Sequence, residues 1–539
     1  MKNMKSILIL IISILFISSC EIDLDRVPES NLSDAAFWKN DRNFKEACNR
    51  FYMYVDGPNE IVLDDVRSDY AVGTTPNSVS EGTRVTPSTS DDWDKPYKII
   101  FWANKILEKS EDVDISKINQ WRGEAKFWRA YAYFNLLSKY GGVPLVLKTL
   151  DIDDDELYGG RAERAEVVQQ IYDDLDFAAE NLPTFTELGE TDYGRASRSA
   201  ALAFKARVAL YEGTRQKFHG YGTPAEHLNI AIVASQTVMQ EGEHNLYSKK
   251  DFYYLFQMDG EGFANKENIL PAIYGEGPDN SIRSHGIMGL VFNGHNQATR
   301  TMVEQFLCTD GLPFDKSPLA VTPEEEPTPW YFFRNKDPRL QATIMLEGEP
   351  CDIRGFLYYW DSPEVKTKYA YKKYDIVTEF YTSTYVDIMI LRYAEVLLSY
   401  AEAKFEKDGS ISDADLNKSI NLLRDRVSMP HLTNAFVAAH GLDMRNEIRR
   451  ERAVELATEG FRYNDIIRWK IAEEVLPERI IGAYYFPDVY LQSTVTEDNF
   501  ILVESSEHRY FNSERDYLYP IPTREIALSN GTIIQNPNW

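Results

Sequence analysis

The sequence predicts a mainly α-helical chain: a tetratricopeptide-like array of paired helices that carries one irregular, loop-rich region. Three observations predict it. Apolar residues recur at helical spacing through the first half and again after residue 387, short turn signals divide these runs into pairs, and residues 260–385 lose the periodicity.

Asp92–Lys109 places Trp93, Tyr97, Ile100, Phe101, Asn104 and Leu107 on one mostly apolar stripe. Gln120–Tyr140 repeats the pattern with Trp121, Ala125, Trp128, Ala132, Leu136 and Tyr140, and stops at Gly141-Gly142. Glu163–Asn181 is amphipathic through Val167, Ile171, Leu175 and Ala178. Ser197–Gly213 is rich in alanine, which lets helices approach closely, and Gly213 reads as the glycine just past a helix end. Thr223 to Glu226 reads as a capping box with Pro224 at the first helical position, opening a helix to about Gln240. Residues 260–385 mix Gly, Pro, Asn and aromatic residues in irregular order, as a long functional loop region does. Helical periodicity returns over Asp387–Lys407, Ser412–Val427 and Asp443–Glu459, before an extended aromatic segment over 480–539. The expected organisation is a leader over 1–19 and a single domain over 20–539, with scaffold helices about 41–258 and 387–475.

The N-terminus predicts export. Lys2 and Lys5 precede an apolar run from Ile7 to Ile17, much shorter than the roughly 20 residues of a bilayer-spanning helix. Ile17-Ser18-Ser19-Cys20 resembles the bacterial lipobox, in which the cysteine thiol is acylated and becomes the mature N-terminus. Several acyl chains on Cys20 give the stable anchoring that one chain does not. Glu21, Asp23 and Asp25 resemble the acidic export tag of surface lipoproteins.

Composition limits the partners. The chain has 539 residues and a formal charge of −26, which becomes −28 when Lys2 and Lys5 leave with the leader. Such a field disfavours nucleic acid and anionic lipid surfaces, and tolerates neutral ligands, or polyanionic ones only where basic side chains cluster. Apart from Cys20, the cysteines are Cys48, Cys308 and Cys351, an odd number without a C-x-x-C, so buried free thiols are expected, the alternative being one disulfide between Cys308 and Cys351. Asp151, Asp153 and Asp155 begin like a calcium loop, but Glu156 and Ala162 stand where the glycine and the bidentate acid belong. A solvated acidic loop is expected there, with no metal or other cofactor. Nor does any H-E-x-x-H, G-x-S-x-G or P-loop sequence occur.

Five stretches carry a family resemblance: Trp93, Tyr97, Asn104 and Leu107; Gly123 to Phe134 with Tyr140-Gly-Gly-Val-Pro-Leu145; Leu391-Arg-Tyr-Ala-Glu-Val396 with Ala401-Glu-Ala403; Ile448 to Trp469; and Pro520-Ile-Pro522 with Gln535-Asn-Pro537. Taken in this order they resemble the SusD/RagB family over essentially the whole mature chain. Glu447, Glu451, Glu455 and Glu459 recur every four residues, followed by Gly460 and by Arg462, Asp465 and Arg468. They read as an ion-pair network across a helix-turn-helix rather than as glycosidase acids.

The resemblance implies a non-catalytic, lipid-anchored protein on the cell surface at the outer membrane. It would capture an oligosaccharide or polysaccharide as partner of a SusC-like TonB-dependent transporter; the alternative is a lid on the same scaffold that captures peptide or protein. It also implies that ligand contacts come from two loops, 64–90 and 271–297. On those loops the candidates are Arg67, Asp69, Tyr70, Asn280, Arg283, His285, His295 and Asn296. Where starch-binding members carry stacking Trp and Tyr, this chain shows mainly Arg283, His285, His295 and Asn296, a set that favours an acidic sugar.

Overall fold

The computed structural model describes residues 37–539 except 112, 249–250, 277–281, 352 and 376–382. The leader, Cys20 and Asn280 therefore lie outside the described residues.

The long helices are α1 (Asp41–Cys48), α2 (Asp91–Lys109), α3 (Asn119–Tyr140), α4 (Arg164–Asn181), α5 (Arg198–His219), α6 (Pro224–Glu241), α7 (Tyr393–Asp408), α8 (Met444–Glu455) and α9 (Arg462–Arg468). They pack in sequence, α2 on α3, α3 on α4, α4 on α5 and α5 on α6. Then α7 closes on α5 and α6, and α8 packs on α7. The apolar stripes are the reason: Trp93, Ile100, Trp121, Trp128, Leu136, Val167 and Ile171 are all buried in one continuous core. Phe101 leaves its expected stripe and is 45% exposed.

Two helix ends differ from expectation. Helix α5 runs through Gly213 to His219 and ends on Gly220, whose φ of 76° is left-handed. Gly213 serves packing instead: a β-carbon there would lie 2.8 Å from Leu228 Cγ, so the missing side chain lets α6 approach. At the start of α6 the Thr223 hydroxyl donates to Glu226 at 2.8 Å and accepts nothing from the backbone, leaving Pro224 to set the first turn.

Among the described residues eight short strands, β1 (Ala71–Val72), β2 (Asn268–Ala272), β3 (Gly275–Glu276), β4 (Ile282–Arg283), β5 (Gln297–Ala298), β6 (Ile388–Arg392), β7 (Ile480–Tyr484) and β8 (Phe500–Glu504), form four antiparallel pairs. Residues 388–392, expected as helix, are strand β6, which pairs with β2 through Asn268↔Arg392 and Ala272↔Ile388. Residues 412–427 split at Ser419 into two short helices. Strands β1 and β5 pair Ala71 with Ala298 and Val72 with Gln297, bringing the two candidate loops side by side.

Cys48, Cys308 and Cys351 are buried free thiols. In the acidic loop Lys148 pairs with Asp154 at 3.5 Å and Glu156 at 3.0 Å. Among the described residues no group of three or more His, Cys, Asp or Glu is placed to hold a metal ion.

Candidate functional site

The charged residues of the helix-turn-helix fall into a buried network, but with partners other than those their spacing implies. Arg339 binds Asp337, Glu451 and Glu455; Arg392 binds Glu267, Glu455 and Glu459; Arg426 binds Glu267 and Glu455; Arg424 binds Glu451 and Lys373 binds Glu459. These cations come from the irregular region, from β6 and from the second of the two short helices in 412–427 (Ile420–Arg426), so the network ties the loops to the scaffold. Arg468 instead grips Glu402 and Asp465, while Arg462 reaches back to the first loop. Gly460 makes the turn at φ 77°, with Ile61 O only 3.1 Å from where a β-carbon would sit.

That reach decides several candidates. Asp69 accepts from Nε and Nη2 of Arg462, each at 2.8 Å, and the guanidinium lies 3.8 Å over the Tyr70 ring. Burial alone would lower the Arg462 pKa, but the Asp69 carboxylate beside it holds it raised. Asn296 is fully buried and donates to Val62 O at 2.5 Å and Thr458 Oγ1 at 3.0 Å. Asp69, Tyr70 and Asn296 are therefore corrected from surface contacts to interior fastenings between the loops and the helix-turn-helix. Arg84 is likewise buried and donates to Asp516 O at 2.9 Å.

Arg67 takes another direction. It pairs with Asp64, donates to the Tyr519 hydroxyl at 2.7 Å and stacks 4.6 Å over Tyr463. With Asp64 and Tyr519 it lines a cleft of about 390 Å³ bounded by α2, α3, α5, α7 and the turn around Gly460. The cleft walls alternate ion pairs with aromatic faces. Lys95 pairs with Asp56 at 3.3 Å, Lys139 pairs with Asp92, and Arg207 binds Glu395 at 2.6 Å. Tyr54, Phe134, Tyr211 and Phe461 supply the faces, and Asn135, Ser138 and Asn464 add neutral polar groups. Burial pushes Asp64 up despite Arg67, whereas at Asp92 the Lys139 ammonium outweighs burial and holds the carboxyl low. A space of this size, with aromatic faces and paired donors and acceptors, suits a hydroxylated ligand.

The second loop lies next to one wall residue of the cleft, Glu60. The Tyr274 hydroxyl and the Glu60 carboxylate both lie against Gly57, at 3.2 and 3.3 Å from its β-carbon position, and Glu60 also lines the cleft. The exposed Arg283 lies 4.4 Å over the Tyr274 ring. His285 meets the same ring edge-on at 4.6 Å. Its Nε2 faces Val386 O at 3.0 Å and so carries the proton, and its Nδ1 faces the Thr384 hydroxyl at 2.9 Å. Both ring nitrogens being engaged, His285 orients Tyr274. Tyr274 N donates to Asp387 at 2.8 Å, and burial pushes that carboxyl up to about 7. His295 is exposed beside Gly73, on the β1–β5 side. Of the candidates, Arg67 lines the cleft, whereas Arg283 and His285 do not and adjoin it only through Tyr274, which lies by Gly57 next to the cleft residue Glu60; His295 lies apart.

Sequence reasoning missed Asp56, Glu60, Asp92, Lys95, Lys139 and Arg207. Each looks like a solvated charge on a helix face or turn, and only the folded arrangement makes them one wall. The aromatic residues of the irregular region mostly pack inward: Trp330 meets Trp360 at 5.1 Å, and Tyr331 and Tyr358 are buried, whereas Tyr359 is 50% exposed.

A family model described as "SusD family" matches residues 289–539, and one described as "Starch-binding associating with outer membrane" matches 29–210. Among curated relatives, a "SusD-like protein P38" of Formosa agariphila is 26% identical, aligning 90% of this chain with 96% of its own. A "SusD-like protein P2" of the same organism is 25% identical over 83% of this chain and 80% of its own. Among solved structures, a SusD-like carbohydrate binding protein from Bacteroides fragilis superposes with a TM-score of 0.76 at 25% identity, covering 91% of this chain and 99% of that one.

Proposed function

We propose, from the premise that this chain belongs to the SusD family, that it is a cell-surface glycan-binding lipoprotein. It captures oligosaccharide or polysaccharide at the outer membrane and hands it to a SusC-like TonB-dependent transporter. Cys20 carries the lipid, and the protein acts by binding, without catalysis. The carrying observation is the cleft of about 390 Å³, with its aromatic faces and paired charges; the exposed Arg283, stacked on Tyr274 nearby, adds a cation. Asp56, Asp92 and Glu395 there are engaged by Lys95, Lys139 and Arg207, an arrangement suited to orienting hydroxyls. The carbohydrate-binding relative of known structure and the outer-membrane description of the family support the same reading.

A glycan array of neutral and uronate-containing oligosaccharides, followed by isothermal titration, tests the proposal, with an oligopeptide library run in parallel. Saturable binding to a glycan class, weakened about tenfold or more by Arg283→Ala, is expected, on the scale of one lost charge-assisted hydrogen bond. Binding to peptides alone, or to neither library, would overturn it.

A further inference from the structure

A small cavity of about 10 Å³, room for one species the size of a water molecule, lies between α8, α9 and the first loop. Arg449 and Arg452, three residues apart on one face of α8, line it with Arg462, Asp65, Asp465 and Trp469. Arg452 and Asp465 also line the cleft, so the two spaces share a wall. The acids around the cavity are all engaged. Asp465 accepts from Arg452 Nε at 2.8 Å through one oxygen and from Arg468 Nε at 2.9 Å through the other. Asp65 accepts from the backbone N–H groups of Thr458 at 2.9 Å and Arg462 at 3.4 Å, and Asp69 takes the Arg462 side chain. Farther out, Glu402 is held by Arg468 and Trp469, and Glu406 by Arg445 and Lys217.

Arg449 is the cation left over. Its guanidinium lies 4.2 Å over the Trp469 ring and 5.1 Å over Phe218, and its buried Nε and Nη2 have no hydrogen-bond partner among the described residues. Burial pushes its pKa down to about 10. Arg452, 4% exposed, likewise keeps a buried Nη1 without a partner. Buried donors without an acceptor are costly, and so is a buried charge without its opposite. A water molecule in the cavity would meet the first need only; a small anion meets both. The negative charge of the whole protein does not decide the sign here, because distant charges are screened beyond about 8 Å at physiological salt, whereas the guanidiniums form the cavity wall.

We propose that this cavity is a binding site for one small monovalent anion of halide size, such as chloride, held by the free N–H groups of Arg449 and Arg452 and packed against Trp469. The bound anion completes the charge pairing of α8 with α9 and the first loop, beside the cleft. The inference is independent of the glycan reading, and its test involves no sugar. The mature chain carrying Cys20→Ala, which cannot be acylated, is unfolded in urea at fixed ionic strength in sodium chloride, sodium bromide or sodium methanesulfonate, whose anion is too large for a cavity of one water. Both halides should lower the unfolding equilibrium constant saturably, about tenfold at ten times the dissociation constant, relative to methanesulfonate. Arg449→Met should lose this dependence. Crystals soaked in bromide should show an anomalous peak beside the Arg449 guanidinium, a reading that stands even where Arg449→Met does not fold. Three results would each overturn the proposal. No peak at that place means that water alone fills the cavity. A peak without a halide-specific change in unfolding means an adventitious ion only. A halide effect retained in full by Arg449→Met places the anion elsewhere.

Discussion

Asp69→Ala separates a structural role from a ligand role for the first loop. The carboxylate takes two N–H bonds from Arg462, and the two side chains are 6% and 12% exposed. Removing it strands a largely buried guanidinium against the Tyr70 face, with Asp465 as a charge still near it. Breaking a buried pair from one side costs about 3–5 kcal/mol. With about 2 cal/mol/K of unfolding entropy per residue, a chain of this length loses about 1 °C of melting temperature per kcal/mol, so a fall of about 3–5 °C is expected. Asp69→Ala/Arg462→Met, which removes both charges, should recover a substantial part of that loss, because the stranded cation and not the absent bond dominates the cost. Calorimetric or urea melts read the stability. Isothermal titration with the glycan found on the array reads the site, and affinity within about twofold of the parent is expected for the folded variant, an energy difference of only a few tenths of a kcal/mol. Unchanged melting together with lost binding would refute the reasoning and return Asp69 to the ligand.

Asp387→Asn tests the buried carboxyl beside Tyr274. Its folded pKa of about 7 lies above the ordinary value of 3.8, so the folded state holds the proton more tightly, and the stability this gives is full below 3.8 and lost as pH rises through about 7. Asparagine keeps an acceptor for the Tyr274 N–H without titrating, so the variant should gain on the parent between pH 5 and pH 8 in melts; a gain that shrinks over that range would contradict the assignment. Gly213→Val places a branched side chain where Leu228 Cγ is already 2.8 Å from the β-carbon position, and should cost about 1–3 kcal/mol by overpacking. Urea denaturation showing no loss would mean that α5 and α6 have room to separate.

The helices were legible because each buries one face, and a 3.6-residue period writes that face into the sequence. What escaped depends on distant partners. Ile388-Met389-Ile390-Leu391 is an apolar run that reads equally as buried helix or buried strand, and it becomes β6 because β2, more than a hundred residues earlier, lies beside it. Gly213 reads as a stop because its spacing problem lies in α6, not in its own helix. Phe101 sits one position off the stripe defined by Trp93, Ile100 and Asn104, and a residue-level list of apolar positions does not distinguish it. The site was legible only in outline. Loops rich in Arg, Asp and Asn look like ligand surface, but a loop that docks on a buried charged turn must supply that turn's partners. Asp69 and Asn296 are spent this way, whereas Arg283 points outward.

This division of labour bears on which sugars fit. The buried network sets Glu267, Asp337, Glu451, Glu455 and Glu459 against Arg339, Lys373, Arg392, Arg424 and Arg426, an equal number of each sign. The chain's excess negative charge therefore lies outside it. In the cleft Asp56, Asp64, Asp92 and Glu395 face Lys95, Arg67, Lys139 and Arg207 in turn, and Glu60, Asp91, Glu459 and Asp465 against Arg452 and Arg468 leave the lining with a modest excess of acids. Beside Tyr274, burial holds the His285 pKa below its ordinary 6.5, so the ring is uncharged at neutral pH and adds no attraction for an anion. The attraction for an acidic sugar read from Arg283 and His285 together thus rests on Arg283, which must act against the negative field of the whole protein. A neutral glycan chain meets no such opposition, and the hydrogen-bonding walls of the cleft are built for hydroxyls.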